Sequence, residues 1–281
     1  MLRDKLKAFL EEDLGLGDVT TSLIVPSGTR IRAQILVKES AVIAGLLEMN
    51  ILFNDVIGAE FTCLVKDGDE VPPNAIIAEV EGDGQSILMA ERTALNLLSR
   101  MCGIATATRR LVKRIKDAGL NMPVAATRKT VPGLRYFDKK AVIIGGGDPH
   151  RFRLDDQILI KDNHIVIAGG VGEALRRVRS SASFSKKIEV EVKTSDEAIE
   201  AARSGADIIM LDNMSVEEID EIINALRRLN LRERVLIEVS GRINEGNILE
   251  YARLGPDIIS VGEITHSVKS IDMSLEVIEV K

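Results

Sequence analysis

The sequence predicts an α/β protein whose larger, C-terminal part is built from parallel strand-helix units, and three observations predict it. The first is an internal repeat. IEVEV (188–192) leads through a helical stretch to GADIIMLDN (205–213), and LIEVS (236–240) leads through another to GPDIISVGE (255–263). Ile188 and Asp207 are 19 residues apart, and Ile237 and Asp257 are 20 apart, which suits one strand plus one crossover helix. The second is the stretch Arg30 to Glu81, which reads as short strands broken by turn residues. The third is the change to helical spacing in SILMAERTALNLLSRMCGIATATRRLVKRIKDAG (86–119). Parallel βα units either close into a barrel or open as a doubly wound sheet, and a barrel is the expectation here.

Taken in order, MLRDKLKAFLEEDLG predicts an amphipathic helix with Leu2, Leu6, Phe9 and Leu10 on one stripe, unlike a signal sequence. IRAQILVKES and NAIIAEVEG are the clearest strands, separated by the turns Asp67-Gly68-Asp69 and Pro72-Pro73. In the long helix, Ile87, Ala94, Leu98 and Met101 fall on one face and Leu88, Arg92 and Leu95 on another. Two apolar-rich faces predict cover on both sides, at a domain or subunit junction. After Gly119 strands and helices alternate, and aligning the two repeats sets Glu191 opposite Ser240 and Asp212 opposite Gly262, each at a strand's C-terminal end. Barrels and parallel sheets alike assemble their sites there.

Composition narrows the function classes. With 281 residues and 45% apolar content the chain can bury a sizeable core. A net charge of −6 argues against a nucleic-acid or anionic-membrane surface, and no apolar run approaches the ~20 residues of a membrane span. Cys63 and Cys102 stand outside any CxxC or CxxH spacing, so neither a disulfide framework nor a zinc site is indicated and a cytoplasmic location is expected.

Against this acidic background, the stretch from Arg128 to Lys161 carries eight Lys or Arg against four Asp. Arg128-Lys129 follows the apolar MPVAA run and precedes Thr-Val-Pro-Gly turn chemistry, which places the pair at a strand end. Arginine's planar fork suits carboxylates and lysine serves phosphates, so a multiply anionic ligand is expected. Gly145-Gly146-Gly147 is a weak signal, read as a flexible loop as readily as a ligand approach. The three histidines, His150, His164 and His266, have no metal-ligand spacing, and His150 beside Arg151 is the strongest candidate. Lys161-Asp162-Asn163-His164 follows an apolar run, and Lys161 is open to a Schiff-base role in a desolvated pocket. Glu189 and Glu191 share a strand face, which leaves one of them open to a solvent-facing role beside Lys187 or Lys193. Carboxylates at neighbouring strand ends, Glu191 and Asp212, suit Mg²⁺ or ribose hydroxyls. Ser240-Gly241 and Gly262 offer small residues and backbone N–H groups to a phosphate.

These segments together resemble the quinolinate phosphoribosyltransferase family, also called nicotinate-nucleotide pyrophosphorylase (carboxylating). The motifs run nearly end to end: EDLGLGDVTT (12–21), ERTALNLLSRMCGIAT (91–106), TRKTVPGLR (127–135), GGGDPHR (145–151), LIKDNH (159–164), EVEV (189–192), IMLDN (209–213), VSGRI (239–243) and THS (265–267). The resemblance implies a small N-terminal α/β sandwich-like domain (1–105), an irregular C-terminal α/β barrel of parallel strands (106–267), and a tail (268–281) packing on the first domain. It implies a homodimer, open to higher assembly, in which Arg92 is donated across the interface. It further implies that Arg92, Arg128, His150, Arg151 and Lys161 bind quinolinate. Lys129, Glu191, Asp212, Ser240, Gly241 and Gly262 would bind phosphoribosyl pyrophosphate, with Mg²⁺ near Glu191 and Asp212. Lys129, Lys161, Glu191 and Asp212 would carry the chemistry: transfer of phosphoribose to the pyridine nitrogen, then loss of CO₂.

The sequence departs from the family pattern at Pro149, where Asn is usual, at Arg153 and Arg242, where Gly is expected, and at Glu263, where a small apolar residue is common. Three rival readings stand beside this one. The molybdenum-locus relatives would act on another acceptor, but they tend to lack the Lys-Asp present here as Lys161-Asp162. A non-enzymatic phosphoribosyl pyrophosphate-binding regulator would not need so complete a cationic set. A barrel lyase using Lys161 would form a trappable Schiff base.

Overall fold

The computed structural model describes residues 2–281, which fall into two compact units. The first comprises residues 2–107, Ile143–Gly145 and Val268–Lys281. In chain order it holds α1 (Leu2–Leu14), α2 (Val19–Ile24), β1 (Arg30–Val37), β2 (Ala41–Val42), α3 (Leu46–Asn50), β3 (Glu60–Cys63), β4 (Glu70–Val71) and β5 (Ala75–Asp83). The long helix α4 (Gly84–Asp117) lies in it through Ala107. The C-terminal strand Met273–Val280, β1, β5 and β3 form an antiparallel sheet in that order. Along β1, Ile31, Ala33, Ile35 and Val37 are buried and the intervening residues are not, the period of two that gives a sheet one apolar face. Leu6 and Leu10 of α1 are buried as their spacing predicts. On α4, Ile87, Ala94, Leu98 and Met101 are buried, whereas on the second face Leu95 is buried but Arg92 is exposed. The cover on both sides that the sequence predicts is therefore absent around Arg92 in the single chain.

The second unit comprises Thr108–Val142 and Gly146–Ser267. Its elements are β6 (Val124–Ala125), α5 (Arg135–Ile144), β7 (Ile158–Ile160), α6 (Asp162–Ala168), α7 (Val171–Ser181), β8 (Ile188–Val192), α8 (Ser195–Ser204), β9 (Ile208–Asp212), α9 (Val216–Arg228), β10 (Leu236–Ser240), α10 (Ile248–Ala252), β11 (Ile258–Ser260) and α11 (Glu263–His266). The strands form one parallel sheet in the order β6-β11-β10-β9-β8-β7. Asp148 adds a single parallel bridge outside β6. Among the described residues no strand pairing joins that edge to β7, so the barrel is interrupted there. The segment from Asp148 to Ile158 crosses from one edge to the other.

The repeat has a physical basis. Asp207, just before β9, accepts the backbone N–H of Ile188 at 2.8 Å, and Asp257, just before β11, accepts that of Ile237 at 2.7 Å. Each aspartate thus ties the base of its strand to the base of a neighbouring one. The crossover helices α8 and α9 begin at the capping residues Thr194 and Ser215 and bury Ala198, Ala201, Ile219, Ile222 and Ile223, the apolar stripe that a sheet-covering helix needs.

Candidate active site

Gly145-Gly146-Gly147 is a packing device. A Cβ on Gly147 would lie 2.7 Å from the Thr108 side chain and 2.9 Å from the Val124 carbonyl oxygen, so only glycine lets the chain close onto β6. Asp148 N–H then donates to Val124 O at 2.8 Å and Asp148 O accepts from Ala126 N–H at 2.9 Å. This fixes where the next residues emerge.

Those residues are held by cations from α5. Lys139 is fully buried and its ammonium meets the Pro149 carbonyl, while Arg135 donates to the Phe152 carbonyl at 3.1 Å and to Thr130 Oγ1 at 3.0 Å. Burial, with Arg135 nearby, pushes the Lys139 amine down to about 8. Between these anchors His150 takes a left-handed backbone, φ 52°, which is uncommon for a residue with a Cβ. Its N–H donates to Asp148 Oδ1 at 2.6 Å.

The His150 ring points into the barrel, where Nε2 lies 3.2 Å from Glu238 Oε2 and 3.6 Å from Glu189 Oε2. Burial acts to lower the ring's pKa and is outweighed by the hydrogen bond to Glu238 and the charges of both carboxylates, so the net direction is upward. Both glutamates are fully buried. Burial, reinforced by the neighbouring Glu238, raises the Glu189 carboxyl. This corrects the solvent-facing alternative for Glu189. Gln157 Nε2 donates to Glu189 at 2.6 Å. Arg128 and Arg151 lie within electrostatic reach of each other and of Lys139, so cations of the Arg128–Lys161 stretch do converge. His150, Arg151 and Gln157 border a cavity of about 390 Å³ together with Asp148, Asp156 and the strand-base residues Ile208 and Ile258.

Lys161 and Glu191 meet at the C-terminal ends of β7 and β8, Nζ to Oε2 at 3.3 Å. The Lys161 side chain is half exposed, which is the reverse of the desolvated pocket a Schiff-base lysine requires. Its backbone N–H is accepted by His164 Nδ1 at 2.9 Å, so His164 orders the start of α6. Asp212 ends β9 in register with Ser240 of β10 and accepts from Asn213 Nδ2 at 2.5 Å. The pair Glu191 and Asp212 offers hard oxygen donors on adjacent strands.

Beside them lies a cavity of about 340 Å³ lined by Lys129, Ser240, Gly241, Arg242, Ser260, Gly262, Glu263 and His266. Thr265 Oγ1 donates to the Lys129 carbonyl at 2.8 Å, fixing the loop that carries it. Gly241 has φ 98°, and a Cβ there would lie 2.5 Å from Asn213 N. Ser260 Oγ is buried without a hydrogen-bond partner. Small residues and the cations Lys129 and Arg242, with the carboxylate Glu263 among them, line this cavity, and such a lining has the chemistry that suits a phosphate. Arg92 belongs to the other unit.

Two family models cover the chain: the N-terminal domain of quinolinate phosphoribosyl transferase matches residues 18–102 and its C-terminal domain residues 104–276. The chain belongs to the quinolinate phosphoribosyltransferase family. It is 50% identical over 277 residues to the probable nicotinate-nucleotide pyrophosphorylase [carboxylating] of Methanocaldococcus jannaschii, covering 97% of this chain and 96% of that one. It is 37% identical to the corresponding probable enzyme of Bacillus subtilis, over 98% and 93%. Among solved structures, NadC from Streptococcus pyogenes superposes with a TM-score of 0.89 at 39% identity, over 98% of this chain and 96% of that one.

Within the quinolinate phosphoribosyltransferase pattern, the departures now have places. Arg242, where the family pattern has glycine, takes a left-handed backbone, φ 51°, and lines the cavity of about 340 Å³. Glu263 is exposed. Glu238, Gln157 and Lys139 were not singled out from sequence. The repeat carries a signal for the first, because Glu189 and Glu238 are equivalent positions, each flanked on both sides by apolar residues.

Proposed function

We propose that the protein transfers phosphoribose from phosphoribosyl pyrophosphate to quinolinate and decarboxylates the product, giving nicotinate mononucleotide, pyrophosphate and CO₂, the carboxylating step of NAD biosynthesis. The observation that carries this reading is the separation of two anion sites within one barrel. Arg128 and Arg151, with His150 behind Arg151 and Lys161 at the end of the neighbouring strand, suit a diacid, and the glycine-lined cavity beside Lys129, Ser240, Gly241 and Gly262 suits phosphates. Relatives named for this reaction, matched over nearly their whole length, support it.

The pyridine nitrogen displaces pyrophosphate from the ribose anomeric carbon, the resulting pyridinium stabilises the electron pair left at C2 as the 2-carboxylate departs as CO₂, and that carbon then takes up a proton from water. Positive charge developing on the ribose faces Glu191 and Asp212, while the leaving pyrophosphate is met by Lys129 and backbone N–H groups. Two carboxylates on adjacent strands beside a phosphate cavity fit Mg²⁺, which takes few protein ligands and keeps its waters. Bound there, it would add charge to offset the pyrophosphate. Lys161 holds Glu191 and lies within electrostatic reach of Glu189, which suits a lysine serving the diacid end.

The exposure of Arg92, together with the exposed apolar side chains Leu16, Val19, Leu23 and Ile24 in the same unit, supports a homodimer that delivers Arg92 to a partner's diacid site. Incubation with Mg²⁺, phosphoribosyl pyrophosphate and either quinolinate or nicotinate, following nicotinate mononucleotide, tests the assignment.

A further inference from the structure

Glu238 sits on β10, fully buried in the barrel interior, where a carboxylate is costly unless a partner offsets it. Its Oε2 lies 3.2 Å from His150 Nε2, and its Oε1 has no hydrogen-bond partner among the described residues. The other ring nitrogen is also engaged: His150 Nδ1 accepts the Arg151 backbone N–H at 2.8 Å. An accepting Nδ1 makes Nε2 the protonated nitrogen, and it donates to Glu238. One line of contacts therefore runs from the Glu238 carboxylate through the imidazole to the backbone of Arg151. Because His150 holds φ 52°, this stretch of chain needs such fixing.

We infer that Glu238 is a positioning residue for the diacid end of the site, acting through the His150 ring on Arg151, with Glu189 and Gln157 bracing it from the side. The inference rests on the assignment of Arg151 to that end. Glu189 Oε2 stands 3.6 Å from the same His150 nitrogen and is itself fixed by Gln157 at 2.6 Å. The Gln157 carbonyl faces Arg151 Nη1 at 3.5 Å. His150 is then a strut behind the arginine, with both nitrogens committed to protein. His150, Glu189 and Glu238 also have the composition of a metal site, but Arg151 and Lys139 lie within electrostatic reach of the cluster. Those cations oppose a divalent ion and complement two carboxylates.

The two variants that separate this role from simple packing are Glu238→Leu, which removes the acceptor, and Glu238→Gln, which keeps one. Glu238→Leu is expected to raise the KM for quinolinate about tenfold or more while that for phosphoribosyl pyrophosphate stays within about twofold. Glu238→Gln is expected to restore most of the loss. Equal shifts in both KM values, or no shift in a folded Leu variant, overturns the inference, as does a Gln variant no better than Leu. A second readout needs neither turnover nor the Leu variant. The chain has three histidines, and NMR of protein carrying isotope-labelled histidine is expected to show the His150 Nε2–H protected in the wild type and in Glu238→Gln, with its shift altered in the variant. An unprotected or unaltered signal overturns the contact itself. Because the NMR signature is read without substrate, failure of the quinolinate assignment would leave it intact, and the two failures are told apart.

Discussion

Glu189 and Glu238 occupy equivalent positions in two repeated strand-helix units, and their carboxylates reach the same His150 nitrogen, at 3.6 and 3.2 Å. Two acids placed by a repeat thus share one base placed by the segment that bridges the gap in the barrel. That arrangement keeps the bridging segment, with Arg151 in it, in place.

Lys139 offers a pH test. Its folded-state pKa is lowered from 10.5 to about 8 by burial and neighbouring cations, so the unfolded chain binds more protons between those values and stability rises with pH there. The burial penalty is full below pH 8 and is relieved by pH 10.5. Relative to Lys139→Met, the wild type should gain on the order of 3 kcal/mol across that window. Denaturant unfolding of both proteins at several pH values measures it, and parallel curves would refute the assignment.

Arg128 should matter at one end of the site only. Arg128→Ala is expected to weaken quinolinate binding by about 2 kcal/mol or more, roughly a thirtyfold loss, with a far smaller effect on phosphoribosyl pyrophosphate. Calorimetric titration of each ligand decides it, and equal losses would mean that the two ends are misassigned.

The turn after β10 gives a paired prediction. Gly241→Ala places a Cβ 2.5 Å from Asn213 N at φ 98° and should cost about 2 kcal/mol of stability or more and raise the KM for phosphoribosyl pyrophosphate. Arg242→Gly removes a side chain from a left-handed backbone and should stabilise by about 1 kcal/mol. If Arg242 grips a phosphate, that variant gains stability while losing phosphoribosyl pyrophosphate affinity; an unchanged KM would make the arginine a bystander.

Asp212→Asn tests the acidic strand ends. It keeps the shape and removes the charge facing the ribose, so kcat should fall at least about a hundredfold. The Mg²⁺ concentration giving half-maximal rate should rise in parallel, read from initial rates across a magnesium series. An unaltered magnesium dependence would place the ion elsewhere.

The sequence made the larger architecture legible because its cause is local and periodic. The 19- and 20-residue intervals reflect Asp207 and Asp257 tying strand bases together, and the strand ends Glu191, Asp212 and Ser240 follow from them. The same repeat contained Glu189 and Glu238, yet a carboxylate inside a barrel contradicts the expectation that charge faces water, and only the position of His150 explains it. Lys139 is hidden in the sequence for a similar reason: it is one cation among eight, and only its burial against Pro149 sets it apart. The triple glycine was legible as backbone freedom but not as contact with Thr108 of α4 and Val124 of β6, elements distant in sequence. The exposure of Arg92 could not be read from helical spacing, since an apolar second face looks the same whether its cover comes from the same chain or another.

The most direct test of the central claim is the fate of the two carboxylates of quinolinate. With Mg²⁺ and phosphoribosyl pyrophosphate, quinolinate labelled at the 2-carboxylate should release labelled CO₂ in one-to-one ratio with nicotinate mononucleotide, while label at the 3-carboxylate should remain in the nucleotide. Formation of nicotinate mononucleotide from nicotinate, with quinolinate inert and no CO₂ released, would contradict the account.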